Sequence, residues 1–196
     1  MIVQLKKARG AGFVRAFAML AFAVLALMST PGAHAQEDVA TLERRIKAAF
    51  IFKFAGYVEW PENSFAQPGS PFTVAVIGDD ELAAELVQVS TGRVVEGRPL
   101  VVRKTRGVES ALDAHMVFIG RAEIARLPQL AKLARARPVL ILSDSPGALS
   151  QGSMINFTVA EQRVKFEIFL EEAERHALKL SSRLLAVAVN VRRSVP

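Results

Sequence analysis

The stretch QGSMINFTVAEQRVKFEIF, residues 151–169, alternates apolar and polar residues on both sides of a short polar break. Alternation predicts β-strands with one buried face, because successive side chains of a strand point to opposite sides of the sheet. Two such strands joined by a short break predict an antiparallel hairpin. Its predicted inner face holds Ile155, Phe157, Val159, Val164, Phe166 and Ile168. Its predicted outer, solvent-facing side holds Asn156, Thr158, Arg163, Lys165 and Glu167.

The other strand-like stretches are almost solidly apolar. They read FTVAVIG at 72–78, HMVFIG at 115–120 and PVLILSD at 138–144, and helical patterns separate them. Apolar strands alternating with helices predict a largely parallel sheet that is covered on both faces. The fold class is therefore predicted to be an α/β three-layer sandwich with a mostly parallel central sheet. Because a hairpin is antiparallel, it is predicted to be an addition at an edge of that sheet.

Two helices are predicted at the ends of this region. The first covers residues 37–54 and is expected to turn Leu42, Ile46, Ala49, Phe50 and Lys53 to one side. The last is expected to run from Ser181 to about Arg192, with inward positions at Leu184, Leu185, Val187, Ala188 and Val191.

The first 35 residues have the three-part layout of a secretory signal peptide. Lys6, Lys7, Arg9 and Arg15 form a basic start, an apolar run follows to Met28, and Ala33-His34-Ala35 offers small residues for cleavage. The apolar run is shorter than the roughly 20 residues that a membrane span needs. We therefore expect a cleaved leader at 1–35 and one α/β domain at 36–196.

The charge and cysteine content exclude several kinds of function. The chain has 25 basic and 19 acidic residues, and loss of the four basic leader residues leaves a formal charge of +2. So small an excess argues against nucleic-acid binding. The absence of cysteine rules out disulfides, thiolate metal sites and cysteine nucleophiles.

Two loops at strand ends could carry chemistry. Asp79 and Asp80 follow the first apolar strand, and Asp144 and Ser145 follow the third. Open α/β sheets bind ligands at the carboxyl ends of parallel strands, so these residues could line a small-ligand pocket. The simpler interpretation is a helix cap in the first loop and a turn in the second.

No catalytic, cofactor-binding or metal-binding set is predicted. The sequence has no phosphate-cradling glycine motif, no serine elbow and no paired-histidine spacing. His115 and His176 are interpreted as structural. An α/β hydrolase is the weakest of the possible functions, and the missing motifs favour a binding protein over an enzyme.

Three segments together resemble the YfiR/HmsC-like family of periplasmic proteins. IKAAFIFKFAGYVEWPENSF at 46–65 is similar to the family's opening helix and Trp-Pro signature. VLILSDSPGALSQGSMINFTVAEQRVKFEIF at 139–169 resembles its central strand, loop and hairpin, and AERHALKLSSRLLAVA at 173–188 its closing segment. FTVAVIGDD and VVEGRPLVVR fit in the same order.

The resemblance implies a periplasmic, non-enzymatic role in cyclic-di-GMP signalling and biofilm regulation. Such proteins repress a membrane-bound diguanylate cyclase by contacting its periplasmic region, and an outer-membrane OmpA-like lipoprotein can draw them away. A homodimer is also implied. Redox control through cysteine pairs, present in some members, does not carry over to this chain. The alternative is a periplasmic small-ligand-binding protein.

For a protein-binding function, two regions are predicted as contacts. They are the outer face of the hairpin, with Asn156, Arg163, Lys165 and Glu167, and the 143–147 loop.

Overall fold

The computed structural model describes residues 32–135 and 137–193. The predicted leader at 1–35 lies outside the described residues except for 32–35, which begin the first helix. The chain divides after Ala40, and every strand of the described residues belongs to the second unit, which begins at Thr41. No helix within the described ranges is both long enough and apolar enough to span a membrane.

The elements follow one another as helices and mostly short strands. Helix α1 (Gly32–Ala55) precedes β1 (Val58–Glu59), β2 (Phe72–Ile77), α2 (Asp80–Ser90), β3 (Val94–Val95), β4 (Arg98–Lys104) and α3 (Val108–Ala111). Then come β5 (Met116–Ile119), α4 (Leu127–Ala134), β6 (Leu140–Ser143), β7 (Ile155–Ala160) and β8 (Arg163–Phe169). The chain continues through α5 (Leu170–Arg175), β9 (Lys179–Leu180), α6 (Ser182–Val187) and β10 (Asn190–Arg192).

Eight strands form one sheet in the order β10-β8-β7-β6-β5-β2-β4-β3, and β1 pairs separately with β9. The five central strands from β7 to β4 are mutually parallel. Antiparallel pairs occur at β7–β8 and at β3–β4. The mostly parallel α/β sandwich with an antiparallel hairpin is thus confirmed.

The hairpin lies next to the end of the sheet, because β10 pairs outside it. Asn190–Arg192 run parallel to the last three residues of β8. The predicted helix from 181 to 192 was therefore wrong in its second half, since α6 ends at Val187. The valines at 187, 189 and 191 carry β-branched side chains, which favour strand over helix.

Burial in the hairpin changes along its length as well as between its faces. Ile155, Phe157, Phe166 and Ile168 are buried as predicted, but Val159 near the tip is 51% exposed. Asn156, predicted to face solvent, is only 3% exposed. The base of the hairpin is covered on both faces because it continues the central sheet. Only its tip, around the two-residue turn at Glu161 and Gln162, projects into solvent.

Helix α1 packs on the sheet through an aromatic cluster. The Phe54 ring lies 4.9 Å from that of Phe166 and 5.8 Å from that of Phe157, centroid to centroid. The buried face consists of Lys47, Ala48, Ile51, Phe54 and Ala55. The predicted face was wrong, since Leu42, Ala49 and Lys53 are exposed. Apolar residues lie on several sides of FIFKFA, so periodicity could not fix which side meets the sheet.

Candidate functional site

The first predicted strand-end loop forms a helix cap. The carboxylate of Asp79 accepts a hydrogen bond from the backbone N–H of Leu82 at 2.9 Å and begins α2. Burial raises the pKa of Asp79, and the nearby negative charge of Asp144 raises it further. Asp80 is exposed and lies 3.4 Å from the ammonium of Lys104. Asp79 and Asp144 thus belong to one electrostatic cluster, while Asp80 lies outside it.

A buried lysine occupies the centre of this cluster. The ammonium of Lys47, from α1, lies 2.7 Å from Oδ2 of Asp144 and 2.6 Å from a carboxylate oxygen of Glu43. The Lys47 side chain is only 4% exposed. Arg121 donates through Nε to the backbone carbonyl of Asp144 at 3.0 Å. Asp144 is therefore held by two cations at the carboxyl end of β6.

Three oxygens at this strand end are buried without a hydrogen-bond partner among the described residues. They are Oδ1 of Asp144, Oγ of Ser145 and Oδ1 of Asn156. Buried polar atoms are usually paired with protein or with ordered water. The cluster can thus accept hydrogen bonds from a water or a small polar molecule, while the Lys47 ion pair gives it a structural role.

His115 and His176 both form hydrogen bonds with the backbone of other segments. Nδ1 of His115 accepts from the Thr73 backbone N–H at 3.1 Å, so Nε2 carries the proton and donates to the Ser64 carbonyl. Burial lowers the pKa of His115, which keeps this neutral form. His176 is buried and bonds through Nδ1 to the Arg137 carbonyl. In the part of the chain that is described, no three His, Asp or Glu side chains converge as metal ligands.

A largely apolar groove lies between α1, β8 and α6, beside the hairpin. Its volume is about 410 Å³, and it is lined by Phe50, Lys53, Phe54, Tyr57, Val164, Lys165, Phe166, Arg183, Leu184 and Val187. We call it the α1–α6 groove. Val187 at its margin is 64% exposed, although large apolar side chains are usually buried.

The charged side chains of the groove are all basic. Of the residues that the structure describes, Lys53, Lys165 and Arg183 line it and no acidic residue does. Lys165 pairs with Glu161 at 3.1 Å, whereas Lys53 and Arg183 form no ion pair within the described ranges. The groove is therefore apolar inside and positively charged at its margin. That combination suits an apolar side chain flanked by negative charge.

The predicted contact residues divide between these two places. Lys165 lines the groove. On the same strand, β8, Arg163 is exposed at the first position and Glu167 is half-buried. Asp144, Ser145 and Asn156 are buried at the strand end. Sequence reasoning missed Lys47, Arg183 and the exposure of Val187. A lysine inside the apolar run IKAAFIF was the available signal for Lys47.

The chain is similar to a described protein family and to a solved structure. No curated protein sequence matches the chain. Among solved structures, a conserved domain protein from Vibrio cholerae is similar at 12% identity and a TM-score of 0.45. That match covers 62% of this chain and 55% of the other, so the chain spans about half of it. A family described as YfiR/HmsC-like matches residues 44–189, most of the chain. This protein therefore belongs to the YfiR/HmsC-like family.

Proposed function

We propose that this protein represses a membrane-bound diguanylate cyclase by binding the cyclase's periplasmic region in the α1–α6 groove. Repression would lower cyclic-di-GMP and biofilm formation. Family membership over residues 44–189 is the observation that carries the proposal. The YfiR/HmsC-like family consists of periplasmic regulators of diguanylate cyclase signalling, and it is regulatory rather than catalytic.

The groove supports this mode of action by its chemistry. Phe50, Phe54 and Phe166 offer a rigid aromatic floor, and rigid buried pockets are where interface hot spots concentrate. The basic side chains at the margin favour an acidic partner segment and would speed its association. We therefore expect a cyclase segment with one large apolar residue beside Asp or Glu.

The energy required is within reach of an ordinary interface. Moving a cyclase from 1% to 99% inactive takes about 5.5 kcal/mol of differential binding. An interface of roughly 800 Å² per partner commonly provides affinities of that order. The groove would supply its centre, and the tip of the hairpin with Arg163 would extend it.

Reversing two charges at the groove should abolish repression. In cells carrying the double variant Lys165→Glu and Arg183→Glu, cyclic-di-GMP should rise to the level of a strain that lacks the protein. Like charges facing each other across an interface cost several kcal/mol, which weakens binding far more than tenfold. Cyclic-di-GMP is measured by mass spectrometry of cell extracts, and biofilm mass is measured in parallel.

The matched control reverses two exposed cations away from the groove. The double variant Arg103→Glu and Lys132→Glu changes the net charge by the same amount as the groove variant. Neither of these two residues lines the groove. This control should repress like the unchanged protein. If the groove variant still repressed fully at equal periplasmic abundance, the groove would not be part of the interface with the cyclase.

We further propose, from the family resemblance, how this protein is processed, where it acts and with what else it associates. The leader is cleaved after Ala35, and the released domain acts in the periplasm. An OmpA-like lipoprotein of the outer membrane competes with the cyclase for the repressor, and two copies of the repressor form a homodimer. Mass spectrometry of the mature N-terminus and light scattering of the purified protein test the first and last of these.

Small-ligand binding is the second candidate function. The unpaired oxygens of Asp144, Ser145 and Asn156 favour it, because a polar ligand could supply the missing donors. The buried Lys47 disfavours it, because its ammonium already occupies Oδ2 of Asp144. A thermal-shift screen with amino acids and nucleotides would detect such a ligand through the stability that binding adds.

A further inference from the structure

A second pocket lies at the small β1–β9 sheet, and the proposed repressor function does not use it. It encloses about 440 Å³ and is lined by Glu59, Trp60, Pro61, Glu174, Ala177, Leu178 and Lys179. Its lining residues come from the Trp-Pro signature and from the closing segment of the family. These two motifs are far apart in sequence, and the antiparallel pairing of Val58 with Leu180 brings them together.

The apolar wall of the pocket is built around a tryptophan. The Trp60 ring stands nearly perpendicular to Phe72, with centroids 4.8 Å apart, so its position is fixed by the core. Its Nε1 is buried with no acceptor among the described residues. The part of the indole that remains accessible is therefore ring carbon. Aromatic rings attract cations that lie over them, and Trp does so most strongly.

The charged side chains of the pocket are predominantly acidic. Glu59, Glu174 and Lys179 are all exposed, and none of them has an ion-pair partner within the described chain. Lys179 lies opposite Glu59 in the β1–β9 register, so their charges partly offset each other. Glu174 has no such counterpart. The pocket thus carries a net negative charge beside an aromatic wall.

The end of helix α5 forms part of the pocket wall. Ala177 has a φ of +57°, a left-handed conformation that non-glycine residues seldom adopt. It follows His176, the C-cap of α5, and the N–H groups of Ala177 and Leu178 donate to the carbonyls of Glu174 and Ala173, a common way for a helix to end. This turn places the buried Leu178 in the lining of the pocket.

We propose that this pocket binds a small organic cation, an amine with an apolar body. The apolar body would lie against Trp60, Pro61 and Leu178, and the ammonium would face Glu174 and Glu59. A carboxylate or a phosphate is disfavoured by the net negative charge. A neutral molecule of the same shape would keep the apolar contacts and lose the electrostatic attraction.

The test uses intrinsic fluorescence, because Trp60 is the only tryptophan in the chain. Phenethylamine, 2-phenylethanol and 3-phenylpropionate are titrated separately into the purified protein. Phenethylamine should change the Trp60 emission at millimolar concentration and bind at least about fivefold more tightly than the neutral alcohol. The propionate should bind most weakly. The preference for the amine should shrink at high salt, since exposed charges are screened.

Two variants are expected to change the affinity for phenethylamine in opposite directions. Glu174→Gln should weaken phenethylamine binding about fivefold, and Lys179→Met should strengthen it about twofold or more. Glu167→Gln, which does not line the pocket, is the control and should change nothing. Equal binding of the amine and the alcohol, or no emission change with phenethylamine, would overturn the proposal without any variant.

Discussion

Replacing Lys47 with methionine should lower the free energy of unfolding by about 3–5 kcal/mol. The substitution keeps the length and the apolar stem of the side chain but removes the ammonium that lies between Asp144 and Glu43. Asp144 is nearly fully buried, so its carboxylate would lose its closest cation and keep only Arg121, at 3.6 Å, as a charged partner. Urea denaturation followed by circular dichroism measures the change.

Two comparisons isolate the buried ion pair. Lys53→Met lies in the same helix on an exposed position and should change stability by no more than about 0.5 kcal/mol. Adding Asp144→Asn to Lys47→Met should recover part of the loss, because the buried carboxylate that has lost its closest cation is then gone. A loss below about 1 kcal/mol for Lys47→Met would mean that Asp144 is not held by Lys47. That result would favour the small-ligand interpretation of the strand end.

Replacing Gly152 with alanine should destabilise the protein by about 2–4 kcal/mol. Gly152 has a φ of +107°, and an added Cβ would lie 2.3 Å from Cβ of Ala131 in α4. Both the backbone conformation and the contact oppose the substitution. Because Gly152 ends the turn that leads into β7, the shift should also disturb the base of the hairpin. Thermal unfolding detects the loss.

Gly69→Ala is the matched control for the backbone contribution. Gly69 has a φ of +83°, and an added Cβ would meet nothing within 4 Å. Gly69→Ala should therefore lower the free energy of unfolding by about 1–2 kcal/mol, through the backbone conformation alone. If the two alanine variants were equally stable, the close approach of α4 to Gly152 would not be a real constraint.

The features that could be predicted from sequence are those that depend on short, local patterns. The apolar runs at 72–78, 115–120 and 138–144 became β2, β5 and β6, because a strand buried on both faces needs an uninterrupted apolar run. Asp79 caps α2, as an aspartate between a strand and a helical pattern commonly does. The hairpin also formed where the alternation placed it.

The features that could not be predicted depend on contacts between distant segments. Lys47 is buried only because Asp144, 97 residues later, lies beside it. The end of α6 at Val187 depends on the pairing of β10 with β8, which local helical spacing does not encode. Asn156 has the polar position of an alternating strand, yet it pairs with Ser143 of the central strand β6 and is buried.

The candidate site follows the same division. Lys165 could be predicted, because it lies on the polar side of the alternation. The α1–α6 groove could not, because Phe50, Lys165 and Arg183 come from three separate parts of the sequence. Their convergence depends on how α1 and α6 meet the sheet. The pocket at the β1–β9 sheet could not be predicted either, because it depends on the pairing of these two distant strands.

Site-specific cross-linking in living cells tests most directly whether the groove binds the cyclase. The chain has no cysteine, so Val187→Cys and Val94→Cys each introduce a single attachment point. The two positions are 64% and 61% exposed, but Val187 lines the groove and Val94 lies on β3 at the far edge of the sheet. With a short photoactivatable label at each position, we predict that Cys at 187 captures an inner-membrane diguanylate cyclase and that Cys at 94 does not. Equal capture from both positions, or capture from neither while repression is intact, would contradict the account.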